Sequence, residues 1–139
     1  MSNVAEKPSA LRSYYEGLAR NVFLATLCKS CQGYTFPPTG CCEHCGSWEV
    51  EPTELSGDGT LLLATHNISP ACHPRFDAIA PYVYGHIRLK EGPIVQAIVL
   101  GVQPTPDDLK ALFERGPVPV KAETLRMSDL PVIAFRIAS

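Results

Sequence analysis

Two Cys-x-x-Cys pairs, Cys28-Lys29-Ser30-Cys31 and Cys42-Glu43-His44-Cys45, stand ten residues apart and constrain the fold more than any other feature of the chain. The short spacing lets both thiolates of one knuckle point at a common ion, and two knuckles complete the tetrahedral four-sulfur set that structural zinc prefers. The segment between them turns at Pro37-Pro38, which lets the knuckles face each other. The stretch from Cys28 to Trp48 is dense in Cys, Gly and Pro and follows no sustained periodicity. Its few apolar residues cannot hold it together, whereas a bound zinc contributes on the order of 10 kcal/mol. One zinc per chain is therefore expected on Cys28, Cys31, Cys42 and Cys45, with iron as the other metal that four thiolates accept. Four protein ligands leave no position for a water or substrate, so the expected role of the metal is structural.

The chain has six cysteines. Cys41 precedes Cys42 directly, but only Cys42 keeps the two-residue spacing to Cys45. Cys41 and Cys72 read as small, partly buried side chains. Cys72 stands next to His73, yet a nucleophile and its base normally meet through the fold and not through adjacency. The N-terminus shows neither an apolar signal core nor an Arg-rich transit pattern, so a cytoplasmic protein is expected, and thiols there tend to be ligands and not disulfides. The longest apolar run, Ile94 to Val102, is interrupted by Gln96 and falls short of the roughly 20 residues of a membrane helix. A net charge of -2 over 139 residues, with neither half basic, disfavours nucleic acid as a partner. At 45% hydrophobic residues the chain has the material for a folded core.

Pattern supplies the remaining elements. Leu11, Tyr14, Tyr15, Leu18 and Val22 recur at the spacing of one helix face, predicting an amphipathic helix from Pro8 to about Leu24. Its apolar surface exceeds what a small domain needs, so these five residues are expected at a partner interface. Ser56-Gly57-Asp58-Gly59 opens a strand from Thr60 to Asn67. Strands follow at Tyr82–Leu89 and Ile94–Val102, turning at Glu91-Gly92-Pro93. Thr105 caps a short helix with Pro106 at its first position, Asp107 and Asp108 in its first turn, and Gly116 closing it. Val118–Leu125 and Pro131–Ile137 complete five strands, with the helix between the third and fourth. The expected architecture is mainly β: a helical segment over 1–25, a four-Cys zinc ribbon over 26–50, and a five-stranded OB-fold barrel over 51–139. Trp48 is expected to pack against the ribbon or the barrel base. Tyr82 and Tyr84 share a strand face at period two, and without clustered Lys and Arg beside them packing is expected over base stacking.

These residues resemble the DUF35-type family, a rubredoxin-like zinc ribbon followed by an OB-fold and associated with acyl-CoA enzymes. The resemblance lies in Tyr15-Glu16-Gly17-Leu18, Cys28-x2-Cys31, Phe36-Pro37-Pro38, Cys42-x2-Cys45-Gly46-Ser47, Ser56-Gly57-Asp58-Gly59-Thr60, Pro81-Tyr82-Val83, Leu89-Lys90-Glu91-Gly92 and Leu130-Pro131-Val132. Thr39 and Glu43 depart from the family pattern, which often has Arg and Pro at these places; neither change removes a thiolate. The resemblance implies a non-catalytic companion of a thiolase-fold subunit, in an α2β2 hetero-oligomer that binds CoA or acyl-CoA mainly through the partner. The pattern is most similar to the zinc-finger subunits of benzoylsuccinyl-CoA thiolases of anaerobic toluene degradation. That implies thiolytic cleavage of a 3-oxoacyl-CoA, with catalytic residues on the partner. Related pairs run acyl-CoA aldol chemistry or channel acetoacetyl-CoA, and a single-stranded nucleic-acid module is the alternative from another class. The loop Ser69 to Pro81 is long for a hairpin connection, and its His73 and Arg75 are the candidates for contact with CoA, Arg75 through a phosphate.

Overall fold

The computed structural model describes residues 9–67, 74–127 and 130–138, with the Arg75 side chain outside the description. The chain divides into two compact units, Met1–Ser56 with Glu91–Pro93, and Gly57–Lys90 with Ile94–Ser139.

In the first unit, helix α1 (Ala10–Ala19) starts on Ser9, whose hydroxyl accepts the Arg12 N–H. It ends five residues before the expected Leu24, and the reason is local. Asn21 turns left-handed at φ 62°. The Asn21 N–H then reaches the Leu18 carbonyl and the Val22 N–H the Gly17 carbonyl, the double bond of a Schellman stop. The Val22 carbonyl comes so near Gly17 that an added Cβ would lie 2.9 Å from it, so a helix-weakening glycine serves its terminus. Leu24 belongs instead to strand β1 (Leu24–Cys28), the middle of a sheet ordered β2-β1-β3, with β2 at Tyr34–Thr35 and β3 at Val50–Glu54. Tyr14, Leu18, Phe23, Ala25, Phe36 and Leu55 form its core. Tyr14 meets Phe36 edge to face at 5.5 Å and Tyr15 at 5.3 Å. Burial, then the neighbouring Tyr15, push the Tyr14 phenol up to about 12.

The second unit is a closed barrel, β4 (Asp58–His66), β5 (Val83–Leu89), β6 (Ile94–Leu100), β8 (Leu130–Ile137) and β7 (Val118–Met127), returning to β4. β6 and β8 run parallel and every other pair antiparallel, a Greek-key arrangement. β4 closes it by pairing with β5 along its length and with β7 over Asp58–Leu61. A bulge between Leu61 and Leu63 bends β4 and turns Leu62 and Leu63 outward. Opposite the bulge, an added Cβ on Gly85 would fall 2.2 Å from the Leu63 carbonyl oxygen, so only glycine fits. Alternation along β5 sends Val83, Ile87 and Leu89 inside, where they join Leu61, Val99, Val120 and Phe135. Helix α2 (Pro106–Glu114) lies between the third and fourth barrel strands; Thr105 accepts the Asp108 N–H, and Leu109 and Leu112 are buried. Among the described residues no helix is long and apolar enough to cross a membrane.

Candidate metal centre

Each knuckle folds by the same local rule. The Gln32 N–H bonds the Cys28 carbonyl, and the Cys28 N–H bonds the Gly33 carbonyl; the Gly46 N–H bonds the Cys42 carbonyl, and the Cys42 N–H the Ser47 carbonyl. The fifth residue of each turn is left-handed, Gln32 at φ 66° and Gly46 at φ 78°. This geometry turns backbone donors onto the first sulfur of each pair. Ser30 and Cys31 N–H groups reach Cys28 Sγ at 3.3 and 3.4 Å, and the His44 N–H reaches Cys42 Sγ at 3.3 Å. Thr35 Oγ1 accepts the Glu43 N–H, and His44 Nε2 lies 2.7 Å from the Tyr34 carbonyl, so β2 anchors the second knuckle.

The two knuckles bring all four sulfurs within 4.8 Å of one another. Across the knuckles, Cys28 Sγ lies 3.6 Å from Cys45 Sγ, and Cys31 Sγ 3.5 Å from Cys42 Sγ. A tetrahedral zinc at about 2.3 Å from each sulfur sets these edges near about 3.8 Å, so the donor set fits the ion in number, type and spacing. Cys28 and Cys42 are buried, Cys31 and Cys45 exposed.

Four sulfurs this close compete for charge. The Cys31 and Ser30 N–H groups hold the Cys28 thiol below its ordinary range, against the opposing effect of burial. The Cys45 and His44 N–H groups bring Cys42 down to about 6, again against burial. Cys31 receives the Gly33 N–H, but the neighbouring Cys42 sulfur and burial outweigh it and push Cys31 up to about 12. Cys45 has the Ser47 N–H and is likewise driven up by Cys28 and burial. A divalent cation removes the conflict by letting all four be thiolates, and the backbone donors are the outer shell such a site needs. All four coordination positions are then taken by protein.

Cys41 stands outside this cluster, and its carbonyl accepts the Thr39 hydroxyl at 2.6 Å. Cys72 and His73 lie outside the described residues. Arg75 is placed by its backbone alone, in a single 3-10 turn over Pro74–Phe76. Of the five residues expected at an interface, Tyr14 and Leu18 are enclosed in their own unit, at 5% and 1% exposure. Tyr15 and Val22 are half-buried, and Leu11 is 54% exposed. The enclosure follows from the sheet beneath α1, which takes up the surface that the periodicity leaves unassigned.

Trp48 corrects the expectation of packing: it is 79% exposed. The N–H of Val50, the first residue of β3, folds back on the Trp48 carbonyl, and the Trp48 side chain faces outward. It forms one wall of a groove of about 610 Å3 with Pro38, Gly40, Val50 and Pro52, where the buried Thr26 Oγ1 has no hydrogen-bond partner. The barrel carries a second groove, of about 580 Å3, beside Tyr82 and Tyr84. Tyr82 and Tyr84, which share a strand face and were expected to pack, are half-buried and line this groove; Asn67, Phe76 and Gln96 carried no signal in the sequence.

Known proteins fit this geometry. The ChsH2 rubredoxin-like zinc ribbon domain matches residues 16–51, and the ChsH2 C-terminal OB-fold domain matches residues 52–121. Among curated proteins, a probable enoyl-CoA hydratase alpha subunit of Thermomonospora curvata is 29% identical over 112 residues, 71% of this chain and 33% of its own length. A DUF35 domain-containing scaffold protein of Pyrococcus furiosus is 33% identical over 69 residues, 50% of this chain and 49% of its own. The chain thus spans half or less of these relatives. The solved Ltp2-ChsH2(DUF35) aldolase has a chain similar at TM-score 0.72 and 25% identity, covering 96% of this chain and 97% of that one. A DUF35-family protein of unknown function from Sulfolobus solfataricus shares the fold at TM-score 0.57, 17% identity and 93% coverage of this chain, 85% of that one. With the zinc-ribbon match over residues 16–51 and the OB-fold match over residues 52–121 falling on a four-cysteine centre followed by a closed five-stranded barrel, this chain belongs to the DUF35-type family.

Proposed function

We propose that the chain is a cytoplasmic, non-catalytic companion subunit of a thiolase-fold enzyme acting on acyl-CoA thioesters, assembled with it as α2β2. The observation that carries this reading is the end-to-end likeness to a chain of the Ltp2-ChsH2(DUF35) aldolase, which leaves almost no part of either chain over. The metal centre supports it, because four cysteines saturate a tetrahedral ion and give it a structural role. The related scaffold protein and hydratase subunit point the same way.

Within this reading the complex cleaves a 3-oxoacyl-CoA with CoA, benzoylsuccinyl-CoA being the specific candidate. The partner supplies thiolate, base and oxyanion hole, and this chain shapes or covers its acyl-CoA site. His73 and Arg75 are the proposed contacts to CoA, and Leu11 is the most exposed of the proposed interface residues. Co-expression with a thiolase-fold chain encoded beside it tests the proposal. The expected result is one hetero-oligomer with CoA-dependent cleavage that neither chain shows alone, and a raised KM for CoA in Arg75→Ala. Separate elution with a fully active large chain overturns it. Aldol cleavage in place of thiolysis keeps the companion role and replaces the reaction.

A further inference from the structure

Strand β4 presents one side chain against its own alternation. Leu61 is buried opposite Ile87, and period two would send Leu63 into the core as well. The bulge between them adds a residue, so Leu63 instead stands opposite His86 on the outer face, 51% exposed, with Leu62 exposed beside it. Gly85 leaves room for this arrangement. A bulge gives up ladder pairing, and its usual return is a re-aimed side chain.

The neighbouring strands complete the surface. Along β5 the alternation that buries Ile87 and Leu89 turns His86 and Arg88 outward, and Lys90 follows at the same period; all three are exposed. Successive members of this stripe stand about 7 Å apart. None of the three side chains has a hydrogen bond or ion pair among the described residues. Asp58, whose carbonyl accepts the Lys90 N–H, gives its carboxylate to Lys121 at 3.0 Å, and the Glu91 carboxylate accepts the Ser56 N–H. On the far side of the stripe, β6 places Gln96 opposite His86 and Ile94 opposite Arg88, with Ile94 54% exposed. The basic stripe therefore runs between an apolar shoulder on β4 and another on β6, about 10 Å apart.

We infer that this face is where the thiolase-fold partner docks, through a patch of its surface that carries carboxylates bordered by apolar side chains. The inference deepens the companion-subunit reading and rests on it. Arg88 offers a planar fork that matches a carboxylate, and Lys90 adds a second permanent charge. Leu63 and Ile94 exclude water on either side, which gives the charged anchors the dry surround that interface cores have. Two permanent charges fall short of the roughly four to eight basic residues of a lipid-binding cluster. The shoulders are aliphatic where a single strand of nucleic acid needs rings to stack on, and Tyr84, one row beyond His86, is half-buried.

Size exclusion of the hetero-oligomer co-expressed with the thiolase-fold chain encoded beside it, over a dilution series, tests this. Leu63→Asp and Arg88→Glu should each weaken association about 10-fold or more, with zinc content and barrel CD unchanged, and the Arg88→Glu loss should shrink as salt rises. Lys110→Glu, the same charge change on exposed α2, should stay within about 2-fold. If Leu63→Asp fails to fold, Ile94→Asp on the opposite shoulder takes its place. Wild-type chains that never associate overturn the companion reading and this inference with it. Association unchanged in Leu63→Asp and Arg88→Glu, or weakened equally in Lys110→Glu, overturns this inference alone. Self-association of the chain that Leu63→Asp abolishes assigns the face to a second copy, and oligothymidylate binding that Arg88→Glu abolishes assigns it to nucleic acid; either result overturns the partner assignment.

Discussion

Cys31 Sγ and Cys42 Sγ, from opposite knuckles, stand 3.5 Å apart, the first pushed up to about 12 and the second drawn down to about 6. Two sulfurs so close and so unlike in proton affinity share one charge until a cation takes both.

Elemental analysis should therefore return one zinc per chain, lost in Cys42→Ser and kept in Cys41→Ser. Removing the metal withdraws on the order of 10 kcal/mol from the ribbon. Unfolding of the first unit on chelation, with barrel CD retained, is the expected readout; zinc retained in Cys42→Ser contradicts the assignment.

The Tyr14 phenol titrates at about 12 when folded, against about 10 when unfolded. The folded state therefore favours the protonated form. Its contribution is complete below about pH 10 and is lost as pH rises toward 12, because the unfolded chain ionises first. Absorbance at the tyrosinate band should show a late-ionising tyrosine that is lost in Tyr14→Phe. Tyr14→Phe should flatten the loss of stability in that alkaline window, and a parallel decline in both proteins refutes the assignment.

Gly85→Ala places a methyl 2.2 Å from the Leu63 carbonyl oxygen, on backbone that the bulge holds in place. A loss of about 1–3 kcal/mol is expected, read as a lower denaturant midpoint with zinc content unchanged. Wild-type stability in this variant removes the argument for the bulge.

Trp48 is the sole tryptophan and is 79% exposed. Its emission should be that of indole in water, and Trp48→Ala should change stability by less than about 0.5 kcal/mol. A blue emission maximum in the isolated chain contradicts this placement. Covering by a partner should shift the emission to the blue.

The metal ligands were readable because coordination is a matter of residue type and short spacing, and Cys28-x2-Cys31 with Cys42-x2-Cys45 satisfies both without reference to the rest of the fold. The barrel strands were readable because period two and turn residues such as Gly92 and Gly116 act locally. Helix α1 was read too long, since its end depends on Asn21 turning left-handed and Leu24 finding Glu54 as a strand partner.

What the sequence by itself determined is the donor set, the order of elements and the class of fold, each encoded within a few neighbouring residues. Only the tertiary structure decided that Tyr14 and Leu18 face inward, that Trp48 faces out, and that Asn67 and Gln96 line one groove with Tyr82 and Tyr84. Burial and convergence depend on which surfaces meet across distant segments, and a one-dimensional pattern gives a side chain's face without saying what lies against it.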